Sequence, residues 1–192
     1  MKMLSQFQTV GGALFNQRLV SSCGGNLSVR IGDRLIITHR GSMLGFIREA
    51  DLVETGITKN DRATPLASAE LAVHRSIYMK CPAQAMVHAH PPYAVALSFV
   101  EKEIVPSDSE GKAVLSKVPV IGLGAEVKAG CFAEEIAEAL KEFKVVLVRS
   151  HGSFAVGQLL EEAYYYTTLL EHSCQLLYLL KVLKASPGAG LI

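Results

Sequence analysis

The spacing of apolar residues changes several times along this chain, and each change marks an element. Residues 3–19 place Leu4, Phe7, Leu14 and Phe15 on roughly one side of a helix, which Gly11-Gly12 weakens. Cys23-Gly24-Gly25-Asn26 reads as a glycine-rich turn. Leu27, Val29 and Ile31 then alternate with Ser28 and Arg30, which is the period of a strand. Gly32-Asp33 turns the chain into a second strand over residues 34–38, and Arg40-Gly41-Ser42 lies at the open end of this hairpin. Residues 68–79 read as a helix with Ser68 near its start. Residues 85–88 read as a short strand stopped by Pro91-Pro92, and residues 93–99 as a helix. Residues 106–122 read as a polar turn followed by a Val/Ile strand. A helix over 133–141 and a buried strand over 145–148 come next, the strand ending at Ser150-His151-Gly152. A long helix spans 160–184, and residues 185–192 form a Pro/Gly tail expected to be mobile.

Strands alternating with helices predict an α/β layered domain around a mixed sheet. Residues 1–184 read as a single domain, because no repeat, low-complexity block or linker divides them. The length of 192 residues, 49% of them hydrophobic, suffices for a buried core. A net charge of +1 leaves no electrostatic footprint for nucleic acid, and Glu142 interrupts the nearest lysine pair, Lys141 and Lys144. No membrane association is expected either. Residues 1–20 carry Lys2, Gln6, Gln8, Gln17 and Arg18, unlike a secretory leader. The apolar stretch 159–183 carries Glu161, Glu162, Glu171, His172 and Lys181, which suits a buried helix better than a bilayer span. The four cysteines, Cys23, Cys81, Cys131 and Cys174, are widely spaced and form no C-x-x-C pair, so the chain reads as cytoplasmic with reduced thiols.

The histidines carry the first chemical signal. In His88-Ala89-His90, alternate residues of an extended segment point the same way, so both imidazoles can reach one ion. His151 follows the buried run Val145-Val146-Leu147-Val148 at a comparable strand end, where α/β proteins commonly build sites. Three neutral imidazoles that leave a coordination position for substrate make a catalytic zinc pattern. A single histidine is usually a satisfied or exposed side chain; that reading serves for His39 and His172, while His74 stands alone in a helix. Glu70, in Ser68-Ala69-Glu70, admits two readings. Acids are favoured at helix N-termini by the macrodipole; alternatively, a carboxylate beside the ion could shuttle a proton, given a pKa raised by burial. Gly25-Asn26 is a common turn pairing as well as a backbone that phosphate oxygens can approach. Arg40 fits either a solvated loop or a bidentate phosphate contact.

Taken in order, Gly25-Asn26-Leu27-Ser28, Ile37-Thr38-His39-Arg40-Gly41-Ser42, Ser68-Ala69-Glu70, His88-Ala89-His90-Pro91 and Ser150-His151-Gly152 resemble class II aldolases of the fuculose-phosphate aldolase group. The resemblance runs from the first helix to the last. It implies a three-layer α/β/α domain around a mixed, largely antiparallel sheet, assembled as a homotetramer with active sites between subunits. It further implies one divalent ion per subunit, Zn²⁺ for preference, held by His88, His90 and His151, with Glu70 as catalytic acid/base. Asn26, Gly41 and Ser68 match positions that bind the substrate phosphate, with Gly25 and Arg40 beside them. The implied reaction cleaves a phosphorylated sugar, a ketose 1-phosphate such as L-fuculose 1-phosphate, into dihydroxyacetone phosphate and a small aldehyde such as lactaldehyde. A divalent ion acts there as the Lewis acid that absorbs enediolate charge. No lysine has a context suggesting a Schiff base instead.

Four departures bear on specificity. Ala69 replaces a second serine, Arg40 stands where a small hydroxyl residue is common, and Ser107-Asp108-Ser109-Glu110-Gly111 occupies the place of a tyrosine. A tail tyrosine that some members lend to a neighbouring site is also lacking. These changes leave the metal half intact and the aldehyde side open, an unphosphorylated substrate included. Within the same superfamily the alternatives are a sugar-phosphate 4-epimerase, for which Asp108 is a candidate residue, and a methylthioribulose-phosphate dehydratase. The non-enzyme alternative is an adducin-like assembly module, which would lack the metal residues.

Overall fold

A computed structural model of the protein describes residues 2–122 and 132–185. Its elements in chain order are α1 (Lys2–Asn16), β1 (Asn26–Ile31), β2 (Arg34–Thr38), β3 (Leu52–Gly56), α2 (Leu71–Lys80), β4 (Ala85–Ala89), α3 (Pro92–Ser98), β5 (Glu103–Ile104), α4 (Ser109–Val114), β6 (Val118–Ile121), α5 (Ala133–Ala139), β7 (Val145–Val148), β8 (Gly152–Gly157) and α6 (Leu160–Ala185). The strands form one sheet in the order β3-β2-β1-β4-β8-β7-β6-β5. Every neighbouring pair is antiparallel except β6 and β7. The domain is therefore α/β around a mixed, largely antiparallel sheet. The tail assigned to residues 185–192 falls outside the described residues, apart from Ala185 at the end of α6.

Alternation along the central strands sorts their side chains into two cores. Leu27, Val87, Ala89, Ala155, Val145 and Leu147 face α1, α3 and α6. Met86, Phe154, Val156, Val146 and Val148 face α2 and α5. Helices thus cover both faces in three layers. Among the described residues no helix is long and apolar enough to cross a membrane.

Several elements differ from the sequence expectation. β8 is buried along its whole length, so it shows no polar alternation by which a strand is recognised. β3 is a five-residue strand at the sheet edge, and β5 has only two residues, too short for a periodic signal. The segment expected to be a polar turn before β6 contains α4, whose start is capped by the Asp108 carboxylate accepting from the Gly111 N–H. The second helix begins at Leu71 rather than Ser68, so Glu70 is its N-cap residue and not part of its first turn. Its side chain makes no cap hydrogen bond and is left for other partners.

α1 forms despite Gly11-Gly12, and the two glycines have different reasons to be there. A Cβ on Gly11 would lie 2.4 Å from the Leu44 carbonyl oxygen and 2.9 Å from Ile47 Cδ1, whereas one on Gly12 would meet nothing within 4 Å. Gly11 lets α1 press on the turn at Leu44–Phe46; Gly12 only lowers helix propensity. Gly11→Ala should therefore destabilise the fold by about 1–3 kcal/mol through overpacking, and Gly12→Ala should stabilise it by up to about 1 kcal/mol. Denaturant melts of the two variants check this, and a destabilised Gly12→Ala protein would contradict it.

Candidate metal centre and its acid

The sheet register places the site. Asn26 pairs with His88 and His88 with Phe154, so three adjacent strands present these side chains on one face. Glu70 arrives above that face from the start of α2. His90 lies just past the end of β4, its N–H donating to the Leu19 carbonyl at 2.7 Å. His151 lies in the turn between β7 and β8, where Ser150 takes a left-handed conformation with φ 59° and its N–H donates to Ser98 Oγ at 3.0 Å. The potential ligand atoms of His88, His90 and His151 all lie within 4.8 Å of one another.

Close packing brings the rings together. His88 stacks on Phe154 with centroids 4.2 Å apart and on His151 at 5.0 Å. A Cβ at Gly152 would sit 2.3 Å from the Ala89 carbonyl oxygen and 2.6 Å from His90 Cδ2. One at Gly24 would sit 2.9 Å from His90 Nδ1. These two glycines give the imidazoles their room.

The protons can be counted. His88 Nδ1 faces the Ser153 carbonyl oxygen at 2.9 Å. A carbonyl only accepts, so Nδ1 carries the hydrogen. Burial pushes His88 down to about 3, so the ring is neutral at pH 7 and its Nε2 is a bare lone pair. That lone pair lies 3.0 Å from His90 Nε2 and 3.1 Å from Glu70 Oε2. His90 is also lowered by burial. His88 Nε2 and the Glu70 carboxylate thus meet with no proton between them, and a divalent cation is a partner that the cluster fits.

Burial also pushes the Glu70 carboxyl up, but the neighbouring His88 and hydrogen bonds from His151 and Asn26 outweigh it and hold the group below the usual carboxylate range. Asn26 Nδ2 donates to Oε2 at 2.9 Å, and His151 Nε2 lies 2.9 Å from Oε1. The raised pKa that a proton shuttle was expected to need is not found, because the neighbouring His88 and hydrogen bonding to the charged form together outweigh desolvation.

The remaining residues expected at the site line one cleft of about 240 Å³ with the histidines and Glu70. Gly25 adopts φ 76°, and a Cβ there would strike the His88 carbonyl oxygen at 2.7 Å. Gly41 adopts φ 78° in open space. Ser68 Oγ accepts from the Glu70 N–H at 3.3 Å. Arg40 is exposed; its N–H donates to the Leu66 carbonyl, and its guanidinium has no hydrogen bond or ion pair among the described residues. Asp108 and Glu110 lie elsewhere. Asp108 caps α4 and accepts from Ser173 Oγ at 2.7 Å, while Glu110 accepts from the Tyr165 hydroxyl. His74 reaches the site through Asn26, a link that a lone helical histidine did not announce. The available signal was its four-residue spacing from Glu70, which places both on one helix face.

Fold and site together define a metal-dependent lyase of the aldolase type. The chain belongs to the class II aldolase and adducin N-terminal domain family, whose model matches residues 5–178. Within it the chain falls in the fuculose-phosphate aldolase group. It is similar to the L-fuculose phosphate aldolase of Methanocaldococcus jannaschii, 33% identical over 175 residues that cover 89% of this chain and 93% of that protein. The protein of the same name from Methanococcus maripaludis strain C7 is 31% identical, covering 94% and 99%. The crystal structure of L-fuculose-1-phosphate aldolase from Thermus thermophilus superposes with a TM-score of 0.89 at 38% identity, covering 96% and 97%.

Two outcomes follow from this geometry. Gly152→Ala should displace His90 and His88 and abolish stoichiometric metal binding in a protein that still folds; elemental analysis after dialysis reads it, and full occupancy would contradict it. The second concerns pH. Burial lowers His74 to about 3 in the folded chain, against about 6.5 unfolded. The unfolded chain therefore binds the proton first, and the stability held above pH 6.5 is lost as pH falls toward 3. Between pH 6.5 and 5, metal-free parent protein should lose stability more steeply than His74→Gln, by about 0.7 kcal/mol per pH unit at pH 6.5 and approaching about 1.4 by pH 5. Equal slopes in urea melts would show that His74 is not buried as a neutral ring.

Proposed function

We propose that the chain cleaves a ketose 1-phosphate, such as L-fuculose 1-phosphate, into dihydroxyacetone phosphate and a small aldehyde such as lactaldehyde. The observation that carries this reading is the convergence of three imidazoles, with ligand atoms within 4.8 Å, on a carboxylate 3.1 Å from one of them. His88, His90 and His151 would hold one divalent ion, and an all-nitrogen set of neutral imidazoles suits Zn²⁺. When bound, the ion supplies Lewis-acid stabilisation of charge developing on the substrate's carbonyl oxygen.

Glu70 is the proposed acid/base. Starting ionised, it is set to remove a carbon-bound proton in the synthetic direction; in cleavage it delivers a proton that it must first accept. Gly25, Asn26, Gly41 and Ser68 are proposed to seat the phosphate, with one Asn26 N–H remaining after its bond to Glu70. The unpaired Arg40 guanidinium at the rim suits the same dianion. Such anchoring would hold the reacting carbons beside Glu70. Met43, Phe46 and Leu66, exposed apolar side chains in the segments flanking Arg40 and Ser68, support a subunit contact near the cleft, such as the proposed homotetramer would make. The cysteine pattern supports a cytoplasmic setting.

A product assay on a panel of ketose 1-phosphates with metal-loaded protein tests the reading. Glu70→Gln should keep its ion and lose about 10²–10⁴-fold in kcat, whereas His151→Ala should lose the ion itself. Parent-like turnover in Glu70→Gln would remove Glu70 from its role, and a parent inert on the whole panel would remove the substrate class.

A further inference from the structure

Behind Glu70 lies a single file of buried polar groups. Glu70, His74 and Tyr78 recur every four residues along α2 and its cap, while Asn26 and Ser28 alternate on β1. Four helical residues advance about 6 Å and two strand residues about 7 Å, so the two series mesh. Asn26 Nδ2 bonds Glu70 Oε2 at 2.9 Å, and Asn26 Oδ1 contacts His74 Nε2. His74 Nδ1 lies 2.7 Å from Ser28 Oγ, which lies 2.7 Å from the Tyr78 hydroxyl. Arg30, two residues further along β1, ends the series by donating from Nη1 to the Tyr78 carbonyl. Asn26, Ser28, His74 and Tyr78 are all buried.

Every bond in this file has one allowed direction. The carboxylate only accepts, so the Asn26 amide must present its NH₂ to Glu70 and its oxygen to His74. His74 Nε2 must then carry the ring hydrogen, which leaves Nδ1 to accept from the Ser28 hydroxyl. Ser28 in turn accepts from Tyr78. Donation therefore runs from Tyr78 through Ser28 to His74, and from His74 through Asn26 to Glu70. An amide passes no proton under these conditions, so the file orients groups and does not conduct.

We propose that His74, backed by Ser28 and Tyr78, is a positioning residue for the aldolase reaction. It locks the Asn26 amide in the orientation that donates to Glu70 and so holds the Glu70 carboxylate toward the histidine cluster. Without it, Asn26 Oδ1 loses its partner in a buried setting, and the amide is free to shift and loosen its hold on the carboxylate. This role rests on the reading of Glu70 as acid/base.

The test compares metal-loaded full-length parent, His74→Leu, His74→Gln and Tyr78→Phe on the ketose 1-phosphate panel. His74→Leu should lower kcat about 10–100-fold, the usual cost of losing an outer hydrogen-bond partner, with metal content unchanged and any rise in KM, through the Asn26 N–H proposed to reach the phosphate, smaller than the fall in kcat. His74→Gln, which restores an N–H toward Asn26, should recover most of the loss, and Tyr78→Phe should fall between parent and His74→Leu. Should His74→Leu not fold, the Gln and Phe variants and the ring tautomer decide. Nitrogen-15 spectra of the metal-free parent at neutral pH should show His74 protonated at Nε2 and bare at Nδ1. A ring protonated at Nδ1, a kcat of His74→Leu equal to the parent's, or a Gln variant as slow as folded His74→Leu would each overturn the proposal while leaving the aldolase reading intact. A parent that cleaves nothing on the panel would remove that reading, and the positioning role with it, whatever the tautomer.

Discussion

The hydrogen on His88 Nδ1 governs the site. It is committed to the Ser153 carbonyl of the adjoining strand, and burial denies the ring a second proton. His88 Nε2 is therefore an unprotonated donor facing His90 and Glu70. The lone pairs of His88 Nε2 and the Glu70 carboxylate, 3.1 Å apart, repel one another unless a positive charge stands among them. The rest of the architecture can be understood as what it takes to hold this arrangement: the Phe154 ring beneath His88, glycine at 24 and 152 where a Cβ would displace His90, and a left-handed turn that delivers His151.

The sheet supplies the precision. Antiparallel pairing of β1, β4 and β8 sets Asn26, His88 and Phe154 abreast on one face, and α2 crosses that face with Glu70 at its start. A one-residue slip in any of these strands would send its functional side chain into the opposite core. The same register continues into the buried file behind Asn26, so one set of strand pairings both builds the metal-binding face and orients the acid. The neighbouring His88 and hydrogen bonds from His151 and Asn26 together keep Glu70 ionised although it is largely enclosed. Desolvation alone would have raised its pKa.

Legibility of the fold followed how each segment meets its surroundings. β1 buries both faces at its start but leaves Arg30 and Ile31 less covered, and its alternating residues could be recognised. β8 is enclosed on both sides and carries no alternation, so nothing local distinguished it from connecting chain. α4 is only six residues long, and its cap, Asp108, resembled part of a polar turn until its bond to Gly111 was seen. The early start expected for α2 had a similar cause. Ser68 looks like a cap in sequence, but its hydroxyl bonds the Glu70 N–H before the helix begins at Leu71.

The chain's own residues determined the histidine pair on one strand face, the third histidine after a buried strand, the acid ahead of a helix and the layered α/β class. All of these are local patterns, written in spacings of two to four residues. Tertiary structure alone decided which ring nitrogen is bare, whether Glu70 is charged, and that His74 belongs to the site. Those properties depend on contacts between residues 44 to 81 positions apart, such as Asn26 with Glu70 and His151 with Glu70. Protonation and orientation are set by whichever donor or acceptor the fold brings within about 3 Å.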